Sequence, residues 1–324
     1  MNVTVVLSVM INDSIMWTLL LVIVVSLLFL DLFVFNRKKE DMSMKKAVCL
    51  SAFFISVGLL FGVIIFLEGS HSATEYYTGY VIELMLSVDN LFVFIIIFTY
   101  FRVPREYQHK ALFYGIIGAI VFRVIFIFAG VQLLERFDAM TYIFGAILLF
   151  TAIKTVTKKD NPDRSLENNL VVRFCRRFMK VSDDYDGDRF FTKKNGIRMV
   201  TPLFVVVLVI EFTDLVFAVD SIPAVLAITT DMFIVCASNM FAIIGLRSLY
   251  FTLRGAIGSL EYLKYGLGAI LAFVAVKMIF DLKSVMDPLH SLSVIMIILC
   301  VTVILSLLIT KRKKEREDGD PPPA

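Results

Sequence analysis

The chain has little of what most enzymes and soluble metal proteins are built from. Its 324 residues include three histidines, four cysteines, one tryptophan and only 19% charged residues, where soluble domains carry about 25%. Cys49, Cys175, Cys236 and Cys300 are far apart and form no CxxC. Three of them lie in or beside apolar runs, which excludes a disulfide framework. His71, His109 and His290 fall in loops or at helix ends, so a soft Cys/His metal centre has little to draw on. No Walker A or other nucleotide-binding pattern occurs, which speaks against ATP-driven chemistry in this chain. Neither enzyme activity, nor a resident cofactor, nor a nucleic-acid partner is expected.

What is present in excess is apolar. Hydrophobic residues make up 58% of the chain, 30 of them phenylalanine, and the mean hydropathy is +0.82. Soluble domains sit near 45–50% apolar, so the composition predicts an all-α, polytopic membrane protein. Roughly 20 apolar residues cross a bilayer, and nine such stretches occur, at about 14–35, 47–67, 78–100, 111–133, 139–156, 200–229, 232–253, 262–280 and 289–310. The first lacks a basic leader and a small-residue cleavage site and ends in Arg37-Lys38-Lys39. It reads as a retained span rather than a signal peptide.

Nine spans place the termini on opposite sides of the membrane. Basic residues crowd one set of connections: Arg37–Lys39, Lys45 and Lys46; Arg102, Arg105 and Lys110; the stretch 158–198; Arg254 and Lys264; and Lys311–Arg316. The opposite set holds only Arg136 and Lys283. The positive-inside rule puts the N-terminus outside and the C-terminus in the cytoplasm of an inner (plasma) membrane. Residues 1–310 are thus expected as one transmembrane domain, with a cytoplasmic loop at 157–199 and a disordered tail at 311–324. The loop contains LVVRFCRRFMK (170–180), a basic amphipathic stretch suited to the membrane surface. The adjacent DDYDGD (183–188) has Ca²⁺-loop character but lacks the twelfth-position Glu, Lys194 standing there; it is expected to be solvated.

An internal repeat organises the spans. ELMLSVDN (83–90) in the third matches DLVFAVDS (214–221) in the sixth, and GAILLFTAIK (145–154) in the fifth matches GAILAFVAVK (268–277) in the eighth. The fourth and seventh carry one arginine each, Arg123 and Arg247. Spans three to five (about 78–156) therefore recur as spans six to eight (about 200–280). Since the third runs inward and the sixth outward, the three-helix repeat is inverted. Secondary transporters use this architecture, with their site near the midplane at the repeat interface.

The repeated segments carry acids at a depth where each costs about 2.5–3.5 kcal/mol on insertion scales. The candidate site is Glu83, Asp89, Asn90, Glu211, Asp214, Asp220 and Ser221. Glu83 and Asp89, six residues apart, lie about 240° apart around a continuous helix, whereas Glu83 and Asn90 nearly share a face. Either the two acids of a span face different neighbours or the helix breaks between them, and Pro223 favours a break in the sixth span. Every side-chain donor in the set is oxygen, which suits hard divalent ions such as Mg²⁺, Ca²⁺ and Mn²⁺. Arg123 and Arg247 are the charge-balancing candidates. An internal ion-pair lattice is the competing reading. Lys154 and Lys277 lie near span ends, where their side chains snorkel, and Asp31 reads as interfacial.

The segments GYVIELMLSVDNLFVF (79–94), VIEFTDLVFAVDSIPAV (209–225), NMFAIIGLRSLYF (239–251) and RFFTKKNG (189–196) make the chain resemble the TerC/Alx family of integral membrane proteins. The resemblance implies nine spans and export of Mn²⁺ in metal homeostasis, with Glu83, Asp89, Glu211, Asp214 and Asp220 involved. The choice of manganese comes from the resemblance and not from the residues. The family is also associated with tellurium resistance, redox modulation and membrane biogenesis, so a non-transporting scaffold is the alternative. A carboxylate-lined path repels the tellurite oxyanion, leaving only an indirect effect, and no paired cysteines stand ready for redox work.

With no His or Cys beside the acids, Zn²⁺ and Cu⁺ are not expected to be preferred over Mn²⁺. Competition of Mn²⁺ uptake into proteoliposomes by equimolar metals checks this. Strong preference for Zn²⁺ would reveal a soft ligand, with Cys236 the first suspect.

Overall fold

The computed structural model describes residues 13–31, 44–67, 69–137, 139–157, 177, 179–194, 197–254, 263–280 and 288–317. They form an all-α bundle: α1 (Asp13–Phe29), α2 (Met44–Phe66), α3 (Ser70–Tyr100), α4 (Arg105–Arg136), α5 (Ala139–Thr157), α6 (Pro202–Leu226), α7 (Met232–Ile244), α8 (Leu246–Arg254), α9 (Leu263–Ile279) and α10 (Pro288–Glu317), with a two-stranded hairpin, β1 (Phe191–Lys194) and β2 (Ile197–Val200), before α6. Each apolar stretch of the sequence coincides with a helix, and the seventh with the pair α7–α8. Among the described residues five helices are long and apolar enough to cross a membrane, six when α7 and α8 count as one bent span.

The break falls in a different span from the one that the proline marked. α6 runs on through Pro223 to Leu226, so the acids of that span sit on one continuous helix. The seventh span instead bends by 41° between α7 and α8, at Gly245. Proline removes one hydrogen bond, which neighbouring helices can compensate inside a bundle, whereas glycine weakens a helix directly. At the other end of the chain α10 continues past residue 310 to Glu317. Its Lys, Arg and Glu run is rich in good helix formers, with Lys311/Glu315 and Lys313/Glu317 spaced i,i+4. The rest of the expected tail, 318–324, lies outside the described residues.

Local chemistry sets the helix ends. α3 closes with Arg102 in the left-handed region (φ 50°). The Arg102 N–H donates to Thr99 and the Val103 N–H to Phe98, a Schellman closure with Val103 and Phe98 both buried in one core cluster. Pro104 then starts α4. Asp231 caps α7, accepting from the backbone N–H groups of Phe233 and Ile234 at 2.9 and 3.2 Å.

Polarity is distributed inside out. Leu21, Leu60, Phe128, Phe150 and Ile297 are exposed, while Glu83, Arg123, Asp214, Asn239 and Lys277 are almost completely buried. Lipid tails satisfy such an apolar exterior; water does not.

The packing respects the repeat. α4 packs on α6 as α3 packs on α7, and α5 packs on α6 as α9 packs on α3; α5 packs on α9 and α3 on α6. Exchanging the two halves leaves this set of pairings unchanged. The α5–α9 contact is reciprocal at the level of residues. A Cβ at Gly145 would lie 3.5 Å from the Ala275 carbonyl and against Ile279; a Cβ at Gly268 would lie 3.3 Å from the Ala152 carbonyl and against Val156. Both partners stand seven and eleven positions beyond the opposite glycine, as in an isologous antiparallel contact.

The DDYDGD segment keeps Asp183 and Asp184 exposed, as expected of a solvated loop, and is also docked on the helices. Tyr185 donates to the Phe101 carbonyl at 2.8 Å, Lys110 to the Asp188 carbonyl at 2.5 Å, and Thr192 to Asp186 at 2.7 Å. Burial pushes the Tyr185 phenol up to about 12. Gly187 takes the left-handed conformation (φ 56°) that its turn needs. Of LVVRFCRRFMK, all but Arg177, Met179 and Lys180 lies outside the described residues.

Gly145→Leu and Gly268→Leu should each cost about 1–3 kcal/mol by overpacking, and by similar amounts because their contacts are reciprocal. Thermal unfolding in detergent measures this, with Gly69→Ala, which meets open space, as the control.

Candidate functional site

Three helices bring polar side chains to one place in the apolar interior. On α3, Glu83, Ser87 and Asn90 follow i, i+4, i+7; on α6, Glu211, Asp214 and Ser221 follow i, i+3, i+10. Each set occupies one helical face. α4 passes beside α6 and supplies Arg123. Its Nη1 donates to Glu83 Oε2 at 2.5 Å, while Nε and Nη2 donate to the two oxygens of Asp214, both at 3.4 Å. Glu83 and Asp214 are the first acids of the two repeated segments, so repeat-equivalent residues grip a single guanidinium.

Asn239 of α7 completes the cluster. Its Nδ2 donates to Glu83 Oε1 at 2.7 Å, and its Oδ1 accepts from Arg123 Nη1 at 3.2 Å. Glu83, Arg123, Asp214 and Asn239 are each 2% exposed or less. Sequence reasoning passed over Asn239, although it opens one of the motifs that carry the family resemblance. An amide in mid-span next to Ser238 was the available signal.

Glu211 stands apart from the arginine. Its Oε2 is buried without a hydrogen-bond partner, and its carboxylate rests on the bare backbone of α4 at Gly118, where any Cβ would overlap it. Ser87 Oγ and Asn90 Nδ2 are likewise buried without partners, and Ser221 Oγ lies near Glu83 without a well-formed bond. An unpaired buried polar group costs about 1–3 kcal/mol. Several along two facing helices mark where water or a ligand completes the bonding. Of the three carboxylates, Glu83 and Asp214 share one guanidinium, and Glu211 has none among the described residues.

The remaining predicted residues distribute otherwise. The backbones of Asp89 and Asp220 continue α3 and α6, but their side chains, and hence the expected approach of the two carboxylates, lie outside the described residues. Arg247 joins neither Glu83 nor Asp214. It pairs with Asp31 at 2.9 Å and meets His109 Nδ1 at 3.3 Å, with His109 stacked on Phe251. Asp31 is therefore buried in an ion pair, not interfacial. Lys277, expected to snorkel, is buried and donates to Ser291 at 2.8 Å. A lysine beside a polar partner on the next helix has no need of the interface. Among the described residues no three His, Cys, Asp or Glu side chains converge to hold a metal ion.

Comparison with known proteins places this geometry. The profile of the Integral membrane protein TerC family matches residues 68–314. An uncharacterized membrane protein of Myxococcus xanthus is 44% identical over 95% of this chain and 96% of its own length. The chloroplastic thylakoid membrane protein TERC of Arabidopsis thaliana is 46% identical over 79% of this chain and 65% of that protein. Alx of Escherichia coli (strain K12), whose name proposes a membrane-bound redox modulator, is 38% identical over 95% of this chain and 99% of its own length. No solved structure matches the chain.

Replacing Asn239 by Leu should cost about 1–3 kcal/mol, because Glu83 Oε1 loses its donor while remaining buried. Thermal melting of the purified variant reads the cost. A melting temperature equal to that of the unmodified protein would show that Glu83 finds another donor.

Proposed function

The chain belongs to the TerC family of integral membrane proteins, and on that premise we propose that it is a secondary transporter exporting divalent cations, with Mn²⁺ as substrate. One observation carries the reading. Glu83 and Asp214 are buried against a single arginine, while Glu211, half-buried on α6, has no cationic partner among the described residues and one oxygen without any protein partner. Burying carboxylates beyond the available countercharge is costly; an imported positive charge offsets that cost. The donors are oxygen atoms throughout, which favours a hard ion over Zn²⁺ or Cu⁺.

The reciprocal α5–α9 contact and the exchange-invariant packing support an inverted repeat. In such folds two halves rock about a central site to give alternating access, drawing on an ion or proton gradient. The positive-inside distribution favours an N-terminus outside and a C-terminus in the cytoplasm of the inner membrane, so that export carries the ion away from the basic face. Asp89 and Asp220 stand six residues beyond Glu83 and Asp214 in the matched segments and are the next acids to test.

A second reading draws on the same cluster. Arg123 satisfies both Glu83 and Asp214, and such a closed ion-pair lattice also suits a scaffold that shapes or assembles other membrane proteins. The redox-modulating role in the name of Alx has less support here. Among the described residues Cys49, Cys236 and Cys300 are free, on three different helices.

In a manganese-stressed host, expression should lower intracellular manganese severalfold, and Asp89→Asn or Asp220→Asn should abolish that effect while leaving the protein abundant in the membrane. Loss of abundance in step with loss of tolerance would favour the scaffold. Unchanged manganese despite a folded, inserted protein would exclude export.

A further inference from the structure

We infer that Arg123 is a tethered counter-cation: in the ion-free protein its guanidinium occupies the ground between Glu83 and Asp214, and the transported divalent ion takes both carboxylates as the guanidinium withdraws. This rests on the transport reading above and adds to it a competitor built into the site.

The argument begins with symmetry. Glu83 and Asp214 are counterparts in the two halves, and a central substrate should be shared by such a pair. What they share instead is a side chain from only one half. The counterpart of Arg123 is Arg247, and it is committed elsewhere, to Asp31 at 2.9 Å. The repeat therefore does not demand an arginine at the shared position. One half provides it, and the other half has turned its arginine to a different task.

The geometry is uneven in a way that suits exchange. The contact with Glu83 is short, at 2.5 Å, whereas both contacts with Asp214 are 3.4 Å. Charge-assisted N–H···O bonds are strongest near 2.7–2.9 Å, so Asp214 is the grip that opens first. Asn239 keeps Glu83 bonded through Oε1, and Glu83 is not stranded when the arginine leaves. A receiving group is at hand. Glu211 lies three residues before Asp214 on the same face of α6, within about one 5.4 Å turn, and its Oε2 is unpartnered. Gly118 clears the α4 surface on which that carboxylate rests, and it stands five residues before Arg123, on the N-terminal side toward which helical side chains lean.

Charge closes the argument. With all three ionised, Glu83, Asp214 and Glu211 bring three negative charges, and Arg123 brings one positive. One divalent ion on Glu83 and Asp214, with the guanidinium on Glu211, leaves two neutral pairs. A monovalent ion leaves a buried charge uncompensated, which low-polarity surroundings penalise heavily. The arrangement thus selects a divalent cation by charge count, and the returning guanidinium expels it.

The test uses full-length purified protein, with Mn²⁺ binding followed by loss of the free Mn²⁺ signal in electron paramagnetic resonance and transport followed in proteoliposomes. Arg123→Gln, which removes the competitor, should bind Mn²⁺ at least about tenfold more tightly while transporting at least tenfold more slowly. Arg123→Lys, a point charge without the guanidinium fork, should bind severalfold more tightly and still transport. Affinity equal to or weaker than that of the unmodified protein, in either variant once folded, overturns the inference. Should neither variant fold, the Mn²⁺-loaded unmodified protein decides by anomalous scattering. An ion between Glu83 and Asp214 with the guanidinium displaced supports the inference, and an ion elsewhere with both arginine contacts intact overturns it. An unmodified protein that neither binds nor transports Mn²⁺ defeats the transport reading itself, a result distinct from a failure seen only in the variants.

Discussion

The burial of Arg123 is the constraint around which the rest of the bundle is arranged. An isolated guanidinium in an apolar bundle is prohibitive, and its pairing must be complete to be tolerated. Meeting that demand takes one acid from α3, one from α6 and an amide from α7, all around a side chain of α4. Four helices are thereby fixed in rotation and depth by a single group. Apolar side chains alone set such registers weakly within a bilayer, because lipid competes with helix for the same contacts. Breaking one partner of a buried pair costs about 3–5 kcal/mol, because the charge left behind stays buried.

Around that centre, small residues let helices approach closely. Gly145 and Gly268 allow α5 and α9 to touch backbone to backbone, and Gly115 and Gly130 admit Ile210 and Leu226 of α6 against α4. Close approach replaces the hydrophobic drive that is missing between helices in lipid. Gly118 belongs to the same α4 surface but meets a carboxylate instead of an aliphatic side chain. The device that packs the helices elsewhere here makes room for a charge.

Much of this was legible in the sequence, for physical reasons. Apolar length marks a helix independently of its neighbours, so each predicted stretch coincides with a helix or with the α7–α8 pair. The matched segments identified Glu83 and Asp214 as counterparts before any contact was known. The pairing of charges was not legible, because it depends on rotations that only the assembled bundle fixes. Asp31 seemed interfacial from its place at a span end, yet Arg247 lies on a helix that packs across α2, α3 and α4 and reaches it. Asn239 carries no charge and so drew no attention, though it bonds two members of the central cluster. The break falls at Gly245, which the sequence reading does not single out, and not at Pro223. A missing hydrogen bond can be absorbed by a tightly packed helix, and the end of α6 with the residues after it, Ser221 to Thr229, is buried throughout.

The two halves are alike in sequence but not in mechanics. α4 is one helix of 32 residues that carries its arginine to the centre. Its counterpart is divided at Gly245, with Asn239 before the bend and Arg247 just after it. The bend separates two duties that α4 combines: α7 brings a polar group to the central acids, while α8 turns its arginine to Asp31 of the region following α1. A two-fold arrangement with identical arginines would place two guanidinium groups against the same pair of acids. They would repel one another and cancel Glu83 and Asp214, leaving Glu211 as the one acid in excess. Turning one arginine away leaves the acids in excess. The bend after α7 thus leaves Glu83 and Asp214 with one guanidinium between them, a negative centre within an apolar bundle.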